Sequence, residues 1–175
     1  GDVAVSQSMI GGIVSTQALS LIFSVLTVLI LTAVLTRSIL AGLVCVVPCG
    51  VAVVVVFGLM GACSIPLGIA TSMFAAMAIG VGDDYAIHLW ESARSRRARG
   101  GSRDEAVSSA VSGVGPAILI DALAVGTGFG VLILSQVPTN ARLGALLAIS
   151  IAACLVATFV LLPLILRWTL PGGPE

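Results

Sequence analysis

The chain has 175 residues, of which 58% are hydrophobic and only 9% charged, with a formal net charge of zero and no lysine. A soluble domain carries about 25% charged residues, so this composition excludes an ordinary soluble fold. Eight arginines balanced by eight acids leave none of the excess basic charge that nucleic-acid binding needs.

Charge-free runs over 3–36, 38–82 and 143–166 each exceed the ~20 residues that cross a bilayer as a helix. They predict an all-α, polytopic membrane protein with five transmembrane helices. The chain has no initiator Met and no basic region of the kind that opens a signal peptide. It is therefore expected to start within a longer protein or to have been trimmed, with residues 1–8 the remnant of an upstream extracytoplasmic segment.

The five-helix transmembrane domain is expected over 9–168. Its first span, 9–35, carries Ser15, Thr16, Gln17, Ser20, Ser24 and Thr27, which can bond neighbouring helices or their own backbone. Arg37 and Ser38 make a very tight turn into the second span, 39–60, where Pro48 is tolerated as a kink. An uncharged loop from Gly61 to Pro66 leads to the third span, 67–90. Residues 91–109 form a polar, arginine-rich cytoplasmic loop, in which Ser102 and Glu105 have the spacing of a capping box that opens a short helix leading into the fourth span. The fourth span covers 113–134. After a loop from Ser135 to Arg142 comes the fifth, 143–166, and residues 169–175 read as a disordered tail.

Five spans put Arg37, the cluster Arg94–Arg103 and Arg167 on one side, with Arg142 alone on the other. The positive-inside rule makes the arginine side cytoplasmic, so the N-terminus is expected outside and the C-terminus inside a cell inner (plasma) membrane.

The third span holds the stretch Gly80-Val-Gly-Asp-Asp-Tyr-Ala-Ile-His-Leu-Trp-Glu91. A carboxylate at the centre of a membrane helix costs roughly 2.5–3.5 kcal/mol to insert. Counting back from Glu91 puts Asp84 about 10 Å inside the interface. Asp84, His88 and Glu91 follow one helix face, Tyr85 and His88 are also neighbours, and Asp83 is displaced by one residue. Carboxylates, a phenol and an imidazole along one stripe are the parts of a proton relay, since each can pass a proton as its surroundings change. Trp90 and Glu91 read as interface residues. Asp121, about ten residues into the fourth span, either faces Asp84 across a helix pair or bonds a hydroxyl such as Thr127.

The glycine pairs Gly58/Gly61 and Gly126/Gly130 are expected to let helices approach closely. Without lysine there is no phosphate-cradling loop, which excludes ATP hydrolysis within the chain. Cys45, Cys49, Cys63 and Cys154 lack the nearby histidines or further cysteines of a metal site. No nucleophile or metal constellation marks an enzyme, and neither cofactor nor metal is expected.

The stretch from Gly80 to Leu89 closely resembles the fourth-helix motif of the RND superfamily, in its MMPL and hopanoid-exporter branch. Arg37-Ser38, Pro48, Gly128-Phe129, Leu134-Ser135, Arg142-Leu-Gly144 and Leu161-Leu-Pro163 follow in the order that resemblance requires. It covers the whole chain as helices two to six of one half of such a transporter. The resemblance implies that Asp84 and Tyr85 are the proton-relay pair. It also implies partners outside the chain, namely the other half and an outer porter domain. Asp83 stands where that branch has an apolar residue, and Asp121 where many relatives have a hydroxyl.

Together these readings predict the membrane domain of a proton-driven exporter of lipids or other hydrophobic molecules. The expected relay residues are Asp84, Tyr85, Asp83, Asp121 and His88. Protons and membrane lipids are the expected partners, with the missing half or a second copy covering the acids. The competing reading is a lipid- or sterol-sensing module that transports nothing, because the sterol-sensing domain has the same five-helix outline.

Overall fold

A computed structural model describes residues 2–65 and 69–170, with 2–15, 17, 18 and 69–76 described as backbone alone. Five helices follow in order: α1 (Asp2–Thr36), α2 (Ile39–Ala62), α3 (Ile69–Ala98), α4 (Arg103–Gly130) and α5 (Pro138–Thr169). A single 3-10 turn, Val131–Leu134, extends α4. No strand occurs among the described residues.

The helix ends follow local chemistry. Arg37 adopts φ 52, and this left-handed residue reverses the chain between α1 and α2. Ser38 then caps α2 by accepting from the Ala41 amide. At the opposite end of α2, Ser64 takes φ 53 and the Ile65 amide donates to the Met60 carbonyl. Gly100, at φ 92, closes the end of α3, where a side chain would be strained. Pro138 starts α5, where its missing N–H is no loss. α2 continues unbroken through Pro48.

Two boundaries differ from the sequence reading. The stretch 91–109 is helical at its start, where α3 runs to Ala98, and the helix expected after Ser102 begins at Arg103. Its arginines are good helix formers, and the Ser102 capping box starts α4 directly, so only four residues turn between the helices. Helix α1 likewise extends back to Asp2, through the segment read as a lead-in. The beginning expected for the third span at Leu67 and most of the expected tail lie outside the described residues.

Among the described residues, four helices are long and apolar enough to cross a membrane, over Leu19–Thr36, Ile39–Ala62, Arg103–Leu134 and Pro138–Thr169. Helix α3 is not among them; its described residues include Asp83, Asp84, Glu91, Arg94, Arg96 and Arg97. Its 30 residues nevertheless extend about 45 Å, and it is the helix that packs against each of the other four. Its buried Tyr85, Leu89, Trp90 and Ala93 meet Val107 and Ile118 of α4, Leu162 and Leu166 of α5, and Val44 of α2. Phe23, Ile30, Val34, Val54, Ile120 and Val160 are exposed instead. A surface this apolar suits hydrocarbon better than water.

Close helix approach occurs at glycines other than those expected. A Cβ on Gly42 would stand 3.0 Å from the Leu29 carbonyl oxygen, and one on Gly144 would stand 2.6 Å from the Phe129 carbonyl. Gly58, Gly61, Gly128 and Gly130 have nothing within 4 Å, and Gly126 has only a methyl of Ile151 at 3.9 Å. Spacing alone does not reveal which face of an apolar helix meets a neighbour.

Candidate functional site

Fourteen residues of α3 lie on each side of the pair Asp83–Asp84, so both carboxylates sit at the middle of the helix. Successive residues on a helix are turned by about 100°, and the two side chains diverge. Asp83 points into the bundle and is 4% exposed, whereas Asp84 is on the open face.

Asp84 lines a cleft of about 320 Å³ between α3 and α4, with Tyr85, His88, Val114, Ala117, Ile118 and Asp121. Asp84, His88 and Asp121 are exposed along its mouth, and the body of Tyr85 is buried in its wall. The Tyr85 hydroxyl lies within electrostatic reach of Asp121 and makes no hydrogen bond of ordinary geometry. Two carboxylates, a phenol and an imidazole thus line one partly open cleft.

The other predicted residues are placed as follows. Asp121 shares the cleft of Asp84, while Thr127 donates to the carbonyls of Leu123 and Ala124 in its own helix. Asp83 is separate from the cleft. Its Oδ2 accepts from the Thr32 hydroxyl of α1 at 3.1 Å, and its Oδ1 is buried without a partner. Trp90, read as an interface residue, is instead buried in the core, and Glu91 is exposed. Trp90 continues the stripe of Ala86, Leu89 and Ala93 that packs inward, and that packing outweighs its interfacial preference.

Thr32 was not singled out in the sequence. It differs from its neighbour Thr36, whose hydroxyl donates back to the Thr32 carbonyl in the usual intrahelical way. Its one sequence signal is its place five residues before the Arg37 turn. That signal is too weak to use alone.

One end of the bundle gathers the arginines. Arg94 donates to the Thr36 carbonyl at the end of α1, and Arg96 donates to Ser109 of α4. Arg97 donates to the Gly101 carbonyl at 2.7 Å. Arg167 near the end of α5 pairs with Asp104 at 3.2 Å. Arg142 follows the 3-10 turn at the opposite end, near the start of α5. Ser102 and Glu105 complete the capping box, with the Glu105 carboxylate accepting from the Ser102 amide at 2.9 Å and the Ser102 hydroxyl accepting from the Glu105 amide at 3.2 Å. The hydrogen bond from the Ser102 backbone amide holds the Glu105 carboxyl below its usual value. Among the described residues no cluster of three potential metal ligands occurs.

A family profile described as the MMPL family matches residues 1–170. A protein of Methanocaldococcus jannaschii, named only as a membrane protein, is 31% identical over 147 residues. The aligned region covers 84% of this chain and 38% of that relative, so the chain spans less than half the length of the relative it matches. No solved structure matches the chain. The helical bundle, its apolar exterior and a profile match across nearly its whole length lead to one conclusion: the chain belongs to the MMPL family.

Proposed function

We propose that this chain is the membrane domain of a proton-motive-force-driven exporter of lipids or other hydrophobic molecules, and that it binds and carries rather than chemically alters them. The observation that supports this reading best is the cleft in which Asp84, Tyr85, His88 and Asp121 meet. Asp84 is the proton carrier in this reading. Tyr85 orients it and extends the path to Asp121, and His88 lies one turn nearer the arginine end. Asp83, turned to the other side of α3, is a structural neighbour of that path.

The energies are of matching size. A proton crossing a 100 mV potential releases roughly 2.3 kcal/mol, against an insertion cost of roughly 2.5–3.5 kcal/mol for a central carboxylate. Charging and neutralising Asp84 can therefore move α3 between two packings. Because α3 touches every other helix, such a shift reaches the whole bundle. The open mouth of the cleft is where a second half of the transporter, or a second copy, covers the acids. The arginine end is cytoplasmic by the positive-inside rule, which places the N-terminus outside.

Dicyclohexylcarbodiimide tests this reading, since it modifies protonated carboxyl groups in apolar surroundings. Applied to the protein carrying this chain in proteoliposomes, it should modify Asp84 and stop gradient-driven export together. Stoichiometric modification of Asp84 with export undiminished would remove this residue from the mechanism.

A further inference from the structure

Cys49 of α2 and Cys154 of α5 approach α3 from different sides and converge on one short segment. The Cys49 thiol donates to the Ala78 and Ile79 carbonyls at 3.8 and 3.6 Å. The Cys154 thiol donates to the Gly82 carbonyl at 3.4 Å. Both sulfurs lie within 3.5 Å of the point where a Cβ on Gly82 would stand, so the bare backbone of Gly82 is what lets them meet. Both residues are free thiols and fully buried. Asp83, the next residue of α3, is electrostatically coupled to each of them and has one buried oxygen without a partner. An apolar cleft of about 340 Å³, lined by Leu21, Val25, Val28, Val53 and Ile79, opens onto Cys49 from the α1–α2 side.

We propose that Cys49 and Cys154 are an oxidative modification site: a dithiol that a lipid-soluble hydroperoxide closes to a disulfide, fastening α2 to α5 across α3. The thiolate is the reactive form, and the proton of the attacking thiol passes to the alkoxide oxygen that departs from the peroxide. The sulfur of Cys49, reached through the apolar cleft, attacks the peroxide O–O bond. That bond breaks, the sulfur becomes a sulfenic acid and an alcohol leaves. The Cys154 sulfur then displaces water from the sulfenic acid. Two S–H bonds and one O–O bond are consumed, and one S–S bond, one alcohol and one water are formed. The peroxide takes up the electron pair. The product is uncharged, which suits an apolar interior. Cys45, one turn away along α2, is not among the atoms nearest Gly82, and Cys63 is exposed at the far end of α2.

The test treats the protein carrying this chain, purified in micelles, with cumene hydroperoxide. The sample is then denatured, its free thiols are blocked, and the disulfides are reduced and labelled with a second reagent for peptide mapping. Cys49 and Cys154 should gain the second label in equal amounts, and the unreduced digest should contain the peptide joining them. Cys45 should keep the first label. Cys154→Ser should leave Cys49 without the second label, and Cys49→Ser should do the same for Cys154. The map of the unsubstituted protein reads the pairing directly, so a variant that fails to fold does not blunt the test. Retention of the first label on both cysteines, or a disulfide joining either of them to Cys45 or Cys63, overturns the proposal.

Discussion

Thr32 donates to Asp83 in the interior of the bundle, while Asp84 faces the cleft beside it. The two aspartates look alike in the sequence, and their place within the third helix was legible there. Their division between interior and cleft was not, because α3 is apolar on several sides and only its neighbours decide which side is core. Among the described residues, the Thr32 hydroxyl is the one donor to Asp83. Thr32→Val should therefore destabilise the bundle by about 1–3 kcal/mol, the cost of a buried polar group left unpaired. Thr32→Ser should restore most of that loss, and detergent-resistant thermal unfolding reads both. An unchanged midpoint for Thr32→Val would show that the hydrogen bond contributes nothing. At the arginine end, Ser102→Ala should weaken the start of α4 by about 1 kcal/mol. Hydrogen exchange should then speed up at the Glu105 and Ala106 amides. Glu105 adds a pH dependence of fixed sign. Its folded carboxyl is held low, so its contribution is present above the ordinary glutamate range and is lost as pH falls through the lowered value. Protection at the first turn of α4 should decline in acid, and Glu105→Gln should flatten that decline.

At the scale of the helices, the Arg37–Ser38 turn, the capping box and the continuity of α2 through Pro48 could all be read from local chemistry. The tight glycine contacts could not, since they depend on which faces meet. Gly144→Ala would press a methyl group against the Phe129 carbonyl and the Leu132 side chain, both at 2.6 Å. It should cost about 1–3 kcal/mol, as overpacking does. Gly58→Ala and Gly128→Ala meet nothing within 4 Å and should be neutral or stabilising by up to about 1 kcal/mol within this chain. Thermal unfolding of the three variants side by side separates packing glycines from incidental ones. Equal destabilisation by all three would contradict the placement of α5 against the 3-10 turn. The exposed Arg167–Asp104 pair is a minor tie, of about 0–1 kcal/mol.

For the whole molecule, composition alone disclosed a membrane bundle, whereas the cleft required α3 and α4 to be brought together. The open mouth of that cleft leaves Asp84, His88 and Asp121 uncovered within the chain. The isolated 175-residue chain should therefore dimerise in detergent, because unpaired polar groups favour helix association in an apolar medium. Sedimentation as a stable monomer would contradict that expectation. Topology follows from the arginines: a cysteine introduced at Arg99 should be labelled only from the cytoplasm, and one at Thr139 only from outside. The reverse pattern would invert the proposed orientation. The central claim is that Asp84 couples protons to export, and efflux from proteoliposomes under an imposed pH gradient tests it most directly. With the complete transporter, Asp84→Asn should abolish gradient-driven efflux at near-normal expression, Tyr85→Phe should slow it, and Asp83→Asn should have a milder effect. Gradient-dependent efflux by the Asp84→Asn protein at the unsubstituted rate would contradict the account.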